Sequence, residues 1–143
     1  MPNGDVHKVL GTVAGTYVAF EYGQYFKLES EHCWQLALGG AIGGFTTARL
    51  ADKLEPSKTL GPNHRGVFHG IALNGLASYL AYNPSKNLFQ SFIDNADKFD
   101  NNNEHFKAFL FRLAVGFLIG AIGGHASHLL ADLNSHKGLP LLN

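Results

Sequence analysis

Cys33 to Leu50 reads CWQLALGGAIGGFTTARL, an uncharged run up to Arg49 with two Gly-Gly pairs, Gly39-Gly40 and Gly43-Gly44, spaced one helical turn apart. No strand alternation fits it, and length and flanks predict a helix from about His32 to Ala51. Glycine inside a helix costs roughly 1 kcal/mol against alanine. Four of them therefore imply that a neighbouring helix or a ligand comes close. The whole chain shares this character: 17 of its 143 residues are glycine and only 15% are charged, against roughly 25% in ordinary soluble domains. Closely packed helices, or helices in lipid, are what such a composition serves.

Working outward, Val6 to about Phe26 predicts a first helix, with Asp5 as its N-cap and Val9, Leu10, Val13, Val18 and Phe20 as its apolar face. Glu29 to Glu31 makes an acidic interval before the glycine-rich helix. After it comes a polar loop, ADKLEPSKTLGPNHRG, broken by Pro56 and Pro62. A third helix is expected from about Arg65 to Tyr82, ended by Asn83-Pro84. Lys86 to Ala96 predicts a short amphipathic helix with Leu88, Phe89, Phe92 and Ile93 on one side, and DKFDNNNE a polar turn. A last helix runs from about Glu104 to Asp132. The class is all-α, a single domain of four to five helices.

Eleven basic residues balance eleven acidic ones, so no basic surface advertises nucleic acid. Cys33 is the only cysteine, which excludes an internal disulfide. The first residues lack the charged start, apolar core and cleavage site of a signal peptide, so an export route is not indicated. Gly66 to Ser85 and Leu113 to Ala131 carry no formal charge over about the 20 residues that a membrane span needs. Each also contains polar side chains, among them Asn74, His125 and His128, so a buried-core bundle and a membrane bundle both remain open.

His125, His128 and Asp132 fall at i, i+3 and i+7, within an arc of roughly 60° on one helix face. Two imidazoles and a carboxylate are ligands for zinc, manganese or iron, and three protein ligands leave a coordination position for water. The plainer reading is a core histidine or two bonded to backbone, with Asp132 ending the helix. His64 and His69 flank Arg65 in NHRGVFHG, and a loop histidine can turn back toward one in the next helical turn. Arg65 suits a carboxylate or phosphate, or a structural ion pair with Asp52 or Glu55. His7 reads as a surface or capping residue, and His32, His105 and His136 as surface residues. No P-loop and no G-x-S-x-G elbow occurs.

With H-R-G-x-x-H at residues 64 to 69, G-x-x-S-H-x-x-x-D at 124 to 132 and G-x-P-L-L at 138 to 142, the chain resembles the YdjM-like family of membrane-associated metal-dependent hydrolases. That family opens on His-x-x-x-Gly, matched by His7 to Gly11, and has an acidic P-D-x-D-type loop where this chain has Asp52 and Glu55. Departures are Ala51 in place of proline, Gly70 in place of a small hydroxyl residue, and His125 where an aromatic or apolar residue is usual. The resemblance implies a hydrolase at the cytoplasmic (inner) membrane, with a soluble cytoplasmic protein as the alternative. It implies one or two divalent ions, zinc first and manganese or magnesium next, held by His7, Asp52, His64, His69, His128 and Asp132, with His125 as an additional ligand. Glu55 would orient or deprotonate a water and Arg65 hold an anionic substrate oxygen. A minimal zinc-dependent phospholipase C-like core would favour a phosphoester or phospholipid-type substrate. A membrane or lipid partner and a homo-oligomer complete the expectations; the alternative is a non-catalytic membrane or interaction protein with a structural metal.

Overall fold

The computed structural model describes residues 4–48, 50 and 71–133, and of these the backbone alone at 4, 71–85, 132 and 133. Four helices follow in order: α1 (Gly4–Tyr25), α2 (Ser30–Thr47), α3 (Ile71–Asn101) and α4 (His105–Leu133). No strand occurs among the described residues, so the protein is an all-α bundle.

Glycine-to-glycine contacts give the topology. A Cβ at Gly11 would lie 2.6 Å from the Gly44 carbonyl oxygen and from the Ala48 Cβ, whereas Gly23 faces Cys33 and Leu36, so α1 and α2 run antiparallel. Gly116, Gly120 and Gly124 of α4 face Leu36, Gly40 and Gly44 in turn, so α2 and α4 run parallel. A side chain at Gly40 would strike the Gly15 carbonyl, and one at Gly120 would strike the Gly40 carbonyl. The close approach expected of the Gly-Gly pairs is therefore spent between helices of the same chain.

This packing turns the first helix inside out relative to its expected face. Val9, Leu10, Val13 and Val18 are exposed, Val13 at 62%, while His7, Gly11, Gly15, Ala19 and Tyr22 point inward. Residues 7, 11, 15 and 19 form one stripe at four-residue spacing, and only small side chains fit where backbones touch. The same inversion holds on α2, where Trp34, Leu38, Ile42 and Phe45 are exposed, and on α4, where Leu110, Phe117, Leu118 and Ile122 are. Large side chains reach the interior chiefly where α3 joins the bundle: Phe89 and Ile93 pack in one cluster with Ala19, Tyr22, Leu36, Val115 and Ile119.

Three local expectations change. Asp5 lies inside the first turn of α1 and approaches Lys8 at 3.4 Å, so it does not cap the helix. The expected break at Asn83-Pro84 is absent: α3 is continuous over 31 residues. Proline removes one helical hydrogen bond and tends to kink a helix, and here the packing of Phe89 and Ile93 into the core just beyond it holds the helix continuous. The expected polar turn shortens to residues 102–104, because Asp97, Lys98 and Asp100 remain helical. Both α1 and α3 end in the same way, with Leu28 N–H donating to the Gly23 carbonyl (3.0 Å) and Glu104 N–H to that of Phe99 (2.8 Å). This six-to-one closure requires left-handed backbone at the preceding residue, supplied by Lys27 (φ 56°) and Asn103 (φ 58°).

Among the described residues one helix, over His105–Ala131, is long and apolar enough to cross a membrane.

Candidate metal centre

His7 of α1 and His128 of α4 meet at the end of the bundle where α2 reaches its C-terminus. Their ring centroids lie 4.3 Å apart with the planes tilted by 56°. His7 is 2% exposed and His128 is fully buried, so the surface or capping reading of His7 does not hold. The glycines explain how residues 121 positions apart come together. Gly11 lies one turn from His7, Gly124 one turn from His128, and both press on Gly44 of α2. Removing three side chains at one level brings the helix axes close enough for two imidazoles to share the next level.

His125 is half-buried, one turn before His128 on α4. Asp132 belongs to the last turn of the same helix, and its side chain lies outside the described residues. Asp52, Glu55, His64, Arg65 and His69 also lie outside them. Among the described residues no group of three or more His, Cys, Asp or Glu side chains is placed to hold a metal ion. The donor chemistry of His7 and His128 nevertheless suits zinc, for which imidazole is a common ligand.

A second polar centre, unforeseen in the sequence, closes the opposite end of the bundle. Arg112 is 1% exposed, and each terminal nitrogen of its guanidinium donates to a carboxylate. Nη2 donates to Asp97 Oδ1 at 2.7 Å and Nη1 to Asp100 Oδ2 at 2.6 Å, with Gln35 Oε1 at 3.4 Å from Nη1. Asp100 also meets His105 Nδ1 at 2.9 Å and His32 Nε2 at 3.6 Å. Burial alone would raise the Asp100 carboxyl, but hydrogen bonds from His105 and Arg112, with the charges of Arg112 and His32, hold it below the ordinary carboxylate range. Around this network opens a polar cavity of about 750 Å³, lined by residues of the α1–α2 turn, the start of α2 and the α3–α4 corner. His32 is thus half-buried, and His105, at the surface as expected, has a partner in Asp100. The available signal was Arg112 itself, the one charge between Lys107 and Asp132 in an otherwise apolar helix.

No protein-family model, no curated protein and no solved structure matches the chain.

Proposed function

We propose that the chain is a membrane-associated, metal-dependent hydrolase whose centre is built on His7 and His128, and that it acts on a phosphoester or phospholipid-type substrate. The observation that carries this reading is the buried imidazole pair. Two imidazoles buried side by side offer two metal-capable donors at one place, and Asp52 follows Ala48, the C-cap of α2 at that end, by four positions in sequence.

In this reading His7, Asp52, His64, His69, His128 and Asp132 hold one or two ions, with His125 as a further ligand. Zinc is preferred over magnesium because magnesium favours oxygen ligands. A bound divalent ion supplies Lewis acidity, which lowers the pKa of water toward about 7. Glu55 would orient a water and take its proton as the water oxygen bonds to phosphorus, and would pass that proton to the alcohol oxygen as its bond to phosphorus breaks. Arg65 holds the phosphoryl oxygens as charge builds on them. A kinship with the minimal phospholipase C-like core belongs to the same proposal.

The membrane setting is supported by the inverted faces: glycine inside, with valine, leucine, isoleucine, phenylalanine and tryptophan outside on α1, α2 and α4. Soluble bundles bury such residues, because apolar area in water is unfavourable. Along α4, Arg112 and His128 are about 24 Å apart at 1.5 Å per residue, close to the roughly 30 Å hydrocarbon thickness. The two polar centres would then lie near opposite membrane surfaces.

The test compares hydrolysis of a generic phosphodiester by wild type, Glu55→Gln and His128→Ala after zinc or manganese is added. The reading expects activity in wild type alone; equal background in all three would remove the enzyme and leave the non-catalytic alternative, a membrane or interaction protein with a structural metal.

A further inference from the structure

Over the described side chains of α3, from Lys86 on, the exposed surface is polar except at Leu88. The outer face of α3 carries Asn87, Ser91, Asp94 and Lys98, all exposed. Their four-three-four spacing keeps them on one seam along the helix. The opposite face of the same turns holds Phe89 and Ile93, packed with Val115 and Ile119, which lie in the middle of the segment able to span a membrane. Asn87 and Ser91 therefore lie at the depth of the bilayer interior, where polar side chains facing lipid are disfavoured, and Asp94 and Lys98 continue the seam toward the surface at which Asp97 and Asp100 hold Arg112.

We propose that a second copy of this chain covers the seam, the two α3 helices running side by side about a two-fold axis normal to the membrane. The proposal rests on the membrane reading above. In that arrangement each seam residue meets its own counterpart. An asparagine amide and a serine hydroxyl each both donate and accept, so Asn87 and Ser91 can bond their copies, and hydrogen bonds between Ser or Asn side chains associate helices in lipid. Asp94 and Lys98, one turn apart, place each carboxylate diagonally across from the ammonium of the other copy. Their present contacts stay within the helix, Gln90 Nε2 donating to Asp94 Oδ1 (2.9 Å) and Lys98 Nζ to Asn95 Oδ1 (3.5 Å), and leave capacity on both groups for a partner. The glycine stripes that commonly pair membrane helices are occupied within the chain, and the belt around Ile42 and Leu118 offers lipid an apolar surface.

The experiment is oxidative cross-linking of Ser91→Cys in native membranes after an alkaline carbonate wash. The expected result is a disulfide-linked dimer several-fold more abundant than from Leu118→Cys on the apolar belt, while wild type stays monomeric because Cys33 is 1% exposed. Adding Asp94→Lys to Ser91→Cys should reduce the dimer, and adding Lys98→Asp as well should restore it. Retention in the membrane with no Ser91→Cys dimer, or a dimer from Leu118→Cys in its place, would overturn the pairing alone. Release of wild type by the wash would overturn the membrane reading, and the pairing with it.

Discussion

At the Arg112 end of the bundle every charge drawn inward meets its opposite, whereas at the His128 end the interior receives two imidazoles carried there by helix packing. The first arrangement is self-contained: a guanidinium, two carboxylates, a glutamine and two histidines tie α2, α3 and α4 together. Such closure uses up ligand capacity and serves cohesion. The second places two imidazoles at the end of the bundle where α2 stops, and the sequence that follows α2 carries Asp52, Glu55, His64, Arg65 and His69. Under the proposed function the two polar centres have different purposes, one to hold helices and the other to present donors.

The largest expected perturbation attacks the packing that makes the His pair. Gly44→Val would press a branched side chain onto the Gly11 carbonyl and onto the Gly15 backbone of α1. Overpacking of this kind costs about 1–3 kcal/mol or more, so thermal unfolding should shift down markedly. Metal uptake should fall with it, since His7 can no longer lie against His128. An unchanged melting temperature would contradict the backbone contact.

Next in size is Arg112→Met, which keeps apolar length but deprives Asp97 and Asp100 of their cation. We expect a loss of about 2–3 kcal/mol in denaturant unfolding, with metal uptake at the far end preserved. Loss of metal binding together with stability would erase the distinction between the two ends.

Lys27→Gly should act in the opposite direction. Left-handed backbone costs a non-glycine residue about 1–2 kcal/mol, so relieving Lys27 (φ 56°) should stabilise the α1 terminus by about 1 kcal/mol. A neutral or negative result in urea unfolding would show that the lysine side chain contributes more there than its backbone costs.

The smallest effect is the acid dependence of the Arg112 network. The Asp100 carboxyl is lowered from its ordinary value of 3.8, so its contribution is complete above that pH and is lost as pH falls through the lowered value. Asp100→Asn should flatten stability against pH in that acidic window while leaving neutral-pH metal uptake intact.

How much of this could be read in the sequence depends on what each residue's neighbours decide. Helix class followed from periodicity, and the Gly-Gly pairs of α2 announced close approach. The direction of the faces was not legible, because Val9, Leu10 and Val13 form an apolar face that looks like a core until Gly11 and Gly15 are seen to take that place. Pro84 gave a local signal for a break, and tertiary packing of Phe89 and Ile93 is not visible at that range. His128 was picked out by its spacing from His125 and Asp132, yet its nearest ring comes from His7, across the whole length of the chain. Arg112 stood alone in its helix, and its partners on α3 lay in a stretch that reads as a turn.

Metal content after mild purification tests the central claim most directly, with wild type compared against His7→Ala and His128→Ala. The account predicts near-stoichiometric zinc or manganese in wild type, or its uptake on addition, and loss in both variants with the helical spectrum retained. Wild type that stays substoichiometric and regains nothing on addition of either ion would contradict it.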